Sequence, residues 1–257
     1  MSRQNKNRLP FSGRSILSIF FLLTFIIQCR SLRVKDYFHP SFECHAGAGW
    51  KNAKDYQKYR TKFWLPNRLL FQEENQKLKQ SKVVIAGNSL VQGFTPDLMS
   101  KEFPGLSIVN RGIGGDMTES LLDRLDTDVL MLNPQTIVIE IGGNDLIYSK
   151  CLSVTQKNIE MIVEKIHKRN SNTKIIFLAT PPTLVPELNK IVPIYNLYLS
   201  EFSKNHKNVM YVEVWNDMRK SDDTRIDDEF VRSNGDPIHF NEKGYEVWGK
   251  KLRPLIQ

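Results

Sequence analysis

From residue 82 onward, apolar and polar positions follow two alternating rhythms. Short runs dominated by β-branched and other apolar residues fall at 83–86, 106–109, 136–141, 174–179 and 209–214, and several lead into Gly or Pro. Such runs predict strands buried on both faces. Between them, apolar residues recur every three or four positions, which predicts helices. One opens with Thr95 as N-cap, Pro96 at the first helical position and Asp97 in the first turn. A second is expected to be capped by Thr118, to carry Leu121, Leu122, Leu125, Val129 and Leu132, and to stop at Asn133-Pro134. Further helices are predicted over about 153–169, 192–205 and 242–253, the last with Asn241 as N-cap. Five alternations of strand and helix predict an α/β domain with a five-stranded parallel sheet covered on both faces. Sheets of this kind bind ligands outside the carboxyl ends of their strands.

The chain before residue 82 reads differently. Arg3, Lys6, Arg8 and Arg14 precede an apolar run over 15–27 with no acidic residue among them. A basic stretch and then about a dozen apolar residues predicts an export signal over 1–28, with an uncleaved N-terminal anchor as the alternative. The run is short for a spanning helix, which needs about 20 residues. Ile26-Ile27-Gln28-Cys29 resembles a bacterial lipobox, although Gln28 replaces the small residue usual before the cysteine. That resemblance implies a lipidated Cys29 and a membrane-anchored envelope protein; without lipidation the protein would be periplasmic or secreted. Residues 29–52 read as a tether. Residues 53–80 read as a helical lead-in whose aromatics Tyr56, Tyr59 and Phe63 are expected to pack on the domain that fills 81–257.

Composition changes this picture little. The net charge of +8 suggests a nucleic-acid partner, but half of it resides in the four N-terminal cations, so no nucleic acid is expected. Three cysteines are present. With Cys29 set aside, Cys44 and Cys151 remain, and spacing alone leaves their pairing open. No CxxC occurs and the five histidines are scattered, so no metal site is expected.

Four short segments carry candidate chemistry: Gly87-Asn88-Ser89-Leu90, Gly112-Ile113-Gly114-Gly115-Asp116, Gly142-Gly143-Asn144-Asp145 and Asp236-Pro237-Ile238-His239. Each alone reads equally as a turn. Three follow the ends of predicted strands and the fourth lies after the last, so all four are expected on one rim. Ser89 is then a candidate nucleophile, which requires a neighbouring base. His239 is the candidate base, with Asp236 three residues earlier to orient its ring. His39, His45, His167 and His206 lack such a partner. Acyl transfer also needs donors for the developing oxyanion. The candidates are the N–H of Ser89, the N–H of Gly115 and the side-chain amide of Asn144. Leu90, Val91, Phe94 and Leu146 are either acyl-pocket or core residues.

On these residues the chain resembles the SGNH hydrolase superfamily of GDSL-type esterases and lipases, nearest its platelet-activating-factor acetylhydrolase-like and lysophospholipase-like branches. The nucleophile motif falls on Ser89, the oxyanion glycine on Gly115, the oxyanion asparagine on Asn144, and Asp-x-x-His on Asp236 and His239. The resemblance covers residues 80–257. It implies a three-layer α/β/α, flavodoxin-like fold, no cofactor, and ester substrates that are small molecules, lipids or acetylated glycans. One departure stands out: Asn88 occupies the place of the family's usual Asp. The alternative outside enzymes is a non-catalytic envelope binding module on the same fold. The sequence says nothing about oligomeric state.

Overall fold

The computed structural model describes residues 44–256. Its centre is a parallel sheet of five strands: β1 (Val83–Gly87), β2 (Ile108–Gly112), β3 (Thr136–Glu140), β4 (Lys174–Leu178) and β5 (Val209–Val212). Their order is β2-β1-β3-β4-β5, the flavodoxin-like arrangement. Val84 is aligned with Val109 on one side and Ile137 on the other. The expected signal over 1–28, Cys29 and the tether up to residue 43 lie outside the described residues. Among the described residues, no helix is long and apolar enough to cross a membrane.

The helices, in chain order, are α1 (Ala53–Tyr59), α2 (Leu65–Leu78), α3 (Ser89–Gln92), α4 (Pro96–Glu102), α5 (Thr118–Arg124), α6 (Gly143–Ile147), α7 (Leu152–Arg169), α8 (Pro186–Lys204), α9 (Trp215–Met218) and α10 (Glu242–Ile256). Successive strand residues point to opposite faces, so β1 serves two cores. Ile85 packs with Met99 of α4 and with Tyr245, Trp248 and Leu252 of α10. Val84 and Ala86 pack with Leu121 of α5, Ile159 and Ile162 of α7, and Tyr195 and Leu199 of α8. Three layers result, with every β1 and β3 residue buried.

Two helix starts differ from expectation. Met117, not Thr118, is the N-cap of α5. Thr118 is the first helical residue, and both its N–H and its hydroxyl donate to the Asp145 carboxylate, an acceptor 27 positions away. Helix α8 begins at Pro186 rather than near 192. A proline ring suits the first helical position because that N–H has no intrahelical partner. The Thr95 cap is as read, its hydroxyl accepting from the Leu98 N–H at 3.4 Å.

Residues 44–78 are built onto this domain. A π turn (Arg60–Trp64) joins α1 to α2, and Trp64 is 1% exposed. Cys44 is disulfide-bonded to Cys151, 107 positions away, with Cα atoms 4.9 Å apart. Beside the bridge, the His45 N–H donates to Ser149 O at 2.8 Å. The buried Lys150 ammonium donates to Gly47 O, to Gly49 O at 3.1 Å and to Glu119 Oε2 at 3.0 Å.

Candidate active site

Ser89 is placed by the sharp exit from β1. Gly87 ends the strand at φ +156° in a space so tight that a Cβ would collide with Glu140 O. Asn88 then caps α3, its Oδ1 accepting from the Leu90 N–H at 2.8 Å. Ser89 is the first residue of that helix, so its own N–H has no intrahelical partner and is free for a ligand. Tyr245 of α10 donates to Leu90 O at 2.9 Å and ties the helix start to the neighbouring layer.

His239 reaches Ser89 across 150 positions, with Nε2 2.8 Å from Ser89 Oγ. Its Nδ1 lies 2.9 Å from Asp236 Oδ2. The other carboxylate oxygen, Oδ1, accepts the N–H groups of Ile238 at 2.9 Å and His239 at 3.0 Å. Asp-x-x-His is therefore a closed turn in which the acid caps the backbone and holds the ring. Partial burial works to raise the Asp236 pKa, but these backbone donors and the imidazole outweigh it and bring it down to about 2. A carboxylate at Nδ1 favours the tautomer that leaves the Nε2 lone pair facing the serine hydroxyl.

The oxyanion candidates border the same centre. Asn144, near the start of α6, shares a cleft with Ser89. Its Nδ2 donates to Asp116 O at 2.9 Å, which connects it to the residue after Gly115. Gly115 adopts φ +80° and lies under the ring of Tyr59, 2.8 Å from where a Cβ would stand. Only glycine satisfies both conditions. Ser89, Asp236 and His239 are thus joined in one hydrogen-bonded chain. Asn144 lies on the Ser89 cleft, and Gly115 sits on the loop that Asn144 grips.

Several supporting groups escaped the sequence reading. Asp116 is fully buried; its Oδ2 accepts from Arg124 Nε at 2.7 Å and its Oδ1 from Trp64 Nε1 at 2.7 Å. Arg124 also donates to Arg111 O at 2.7 Å and Gly87 O at 3.2 Å, so one guanidinium links strand ends β1 and β2. Asn110 ties the same region together, donating to Val91 O and Phe94 O and accepting from Gly112 N. Burial raises the Asp145 pKa to about 6 against the two Thr118 bonds. Glu140 is wholly buried behind Asn88; burial raises it to about 8, opposed by hydrogen bonds from Thr180 and Asn88. Glu140 and Arg124 gave no distinctive signal because their partners come from other segments. Among the described residues, no group of three His, Cys, Asp or Glu side chains could hold a metal ion.

The cleft is lined by Ser89, Leu90, Asn144, Ile147, Leu188, Val192 and Ile238. Only about 30 Å³ of it admits solvent, room for one or two waters. Of the four apolar residues singled out from sequence, Leu90 lines this cleft. Val91 and Phe94 are fully buried core, and Leu146 packs against the other core.

The GDSL-like lipase/acylhydrolase family matches residues 79–247, and the chain belongs to it. The platelet-activating factor acetylhydrolase IB subunit alpha2 of Rattus norvegicus is 30% identical over 194 residues, covering 69% of this chain and 77% of the relative. Solved structures share the fold. A candidate platelet activating factor from Streptococcus pneumonia superposes with TM-score 0.67 at 22% identity, covering 80% of this chain and all of that one. A GDSL-like lipase from Bacteroides thetaiotaomicron superposes with TM-score 0.55 at 21% identity, covering 79% and 97%.

Proposed function

We propose that the protein is a serine hydrolase of short-chain carboxylic esters, with Ser89, His239 and Asp236 as its triad. The observation that carries this is the unbroken chain Ser89 Oγ, His239 Nε2, His239 Nδ1, Asp236 Oδ2, at 2.8 and 2.9 Å. In the reaction, His239 takes the hydroxyl proton as Ser89 Oγ attacks the ester carbonyl carbon. The oxygen of the tetrahedral intermediate becomes negative and is held by the N–H groups of Ser89 and Gly115 and by Asn144 Nδ2. His239 returns the proton to the departing alcohol, leaving an acyl-serine. Water, deprotonated by the same imidazole, then releases the acid. Asp236 stays ionised throughout and supports the imidazolium.

The narrow, apolar cleft beside Ser89 supports acetyl or similarly short acyl groups over long chains, whether borne by a lipid or a glycan. The relative named as an acetylhydrolase agrees with this size limit. We further propose that the protein is exported and held at a membrane by its N-terminus, through lipid on Cys29 or an uncleaved apolar segment. The basic and apolar N-terminal pattern and a disulfide suited to an oxidising compartment support that location. A fluorophosphonate probe together with p-nitrophenyl acetate tests the chemistry. Labelling confined to Ser89 with turnover is expected; no label and no turnover would mean a binding module on the same scaffold.

A further inference from the structure

The family match begins at residue 79, yet the residues before it grip the loop that presents Gly115. Of three consecutive loop residues, Gly115 and Asp116 are held directly from that side and Gly114 through Gln92. The Gly114 N–H donates to Gln92 Oε1 at 2.9 Å, and the same amide donates to Asn67 Oδ1 on α2 at 3.3 Å. Gly115 lies against the Tyr59 ring. Asp116 receives the Trp64 indole N–H. The guanidinium groups of Arg60 and Arg68 lie over the Trp64 ring, 3.6 and 4.5 Å from its centre.

The grip is backed by a second layer. Trp50 stacks on Tyr59 at 5.0 Å and on Tyr148, at the end of α6, at 4.1 Å. The Trp50 segment is fastened by the Cys44–Cys151 bridge and by Lys150 and Glu119. A glycine at positive φ has no side chain with which to fix its own peptide plane. The direction of its N–H is set by whatever packs on it, and an oxyanion donor must be aimed before charge develops.

We propose that residues 44–78 form a positioning clamp on the oxyanion loop, in which Tyr59 and Trp64 hold the Gly115 N–H toward the reacting carbonyl. The inference rests on the serine-hydrolase reading above. The Tyr59 hydroxyl is buried without a partner, so the aromatic ring supplies the contact and the hydroxyl is dispensable. Trp64 acts through its N–H as well as its bulk.

The test compares Tyr59→Ala, Tyr59→Phe and Trp64→Phe with the wild-type chain, with kcat referred to the fraction of protein that takes a fluorophosphonate label. Tyr59→Ala and Trp64→Phe should lower kcat per labelled site at least tenfold with KM nearly unchanged. That loss is smaller than the roughly 10²–10³ expected when an oxyanion donor is removed outright. Affinity for an aryl trifluoromethyl ketone, which forms a tetrahedral adduct, should weaken in parallel. Tyr59→Phe should restore both. An active wild type whose variants keep kcat per labelled site within twofold, even if less stable, overturns the clamp alone. A wild type that neither labels nor hydrolyses esters overturns the clamp together with the function on which it rests.

Discussion

Asn88 stands against Glu140 with its side chain divided between two duties. Its Oδ1 caps the helix that opens at Ser89 by accepting from the Leu90 N–H, and its amide opposes the rise that burial imposes on the Glu140 pKa. This gives the departure from the family's aspartate a physical account. An aspartate at this position would set a second carboxyl beside one that already lacks solvent, and two such groups do not ionise together.

That relationship predicts a pH-dependent stability. The Glu140 pKa is raised, so the unfolded chain gives up this proton near 4.5 while the folded protein keeps it to about 8. Folding is therefore favoured below pH 4.5, and the advantage is lost progressively as pH rises to about 8. Relative to wild type, Glu140→Gln should gain stability with pH across that window, by at most about 1.4 kcal/mol per pH unit. Asn88→Asp should move the opposite way. Thermal melts at pH 5, 6, 7 and 8 decide it; parallel curves for all three proteins would remove Glu140 as the cause.

Removing the nucleophile should separate chemistry from folding. Ser89→Ala is expected to lower kcat/KM for p-nitrophenyl acetate by roughly 10⁴ or more while the melting temperature stays near wild type. Undiminished turnover would show that another group attacks.

Asp236→Asn should be nearly as damaging, about 10⁴ in kcat, because an amide at Nδ1 permits the wrong imidazole tautomer. The same turn should also lose acid resistance in its own way. The Asp236 pKa is depressed, so its contribution to stability is complete above the unfolded value of 3.8 and disappears as pH falls to about 2. Acid unfolding of wild type and variant, followed by circular dichroism between pH 5 and 2, should converge at the low end.

The cleft predicts an order of substrates. Acetyl esters should exceed butyryl, and octanoyl esters should be poor. Leu188→Ala and Val192→Ala, which shorten two lining side chains, should raise the octanoyl-to-acetyl ratio of kcat/KM. Equal rates across the series in wild type would mean the acyl chain lies elsewhere.

Much of this was readable in advance because it is local. Four of the five strands coincide with mostly apolar runs, whereas β2, expected over 106–109, lies at Ile108–Gly112 and carries the polar Asn110 and Arg111. The strand ends carry the candidate nucleophile and oxyanion motifs, and Asp236 and His239 fall in one four-residue turn. What eluded the sequence is carried by partners far apart in the chain. Nothing at Thr118 announces that Asp145 will take its N–H, and nothing at Trp64 points to Asp116 52 positions on. Of the lead-in aromatics expected to pack, Tyr56 and Tyr59 are partly buried while Phe63 is 40% exposed, and which loop they meet emerges only when the π turn aims Tyr59 and Trp64 together. The Cys44–Cys151 pairing was undecidable for the same reason, since its geometry depends on how α7 meets the first described residues.

The bridge between Cys44 and Cys151 also divides the proposed catalytic set. Ser89, Gly115 and Asn144 fall inside the covalent ring, whereas Asp236 and His239 lie outside it. A protease that nicks an exposed turn within the ring, such as the one at Gly105, would leave both halves joined through sulfur. The clipped enzyme should travel as one molecule without reductant and split in two with it, so the ring gives the nucleophile's half of the machine an insurance that the acid–base half lacks.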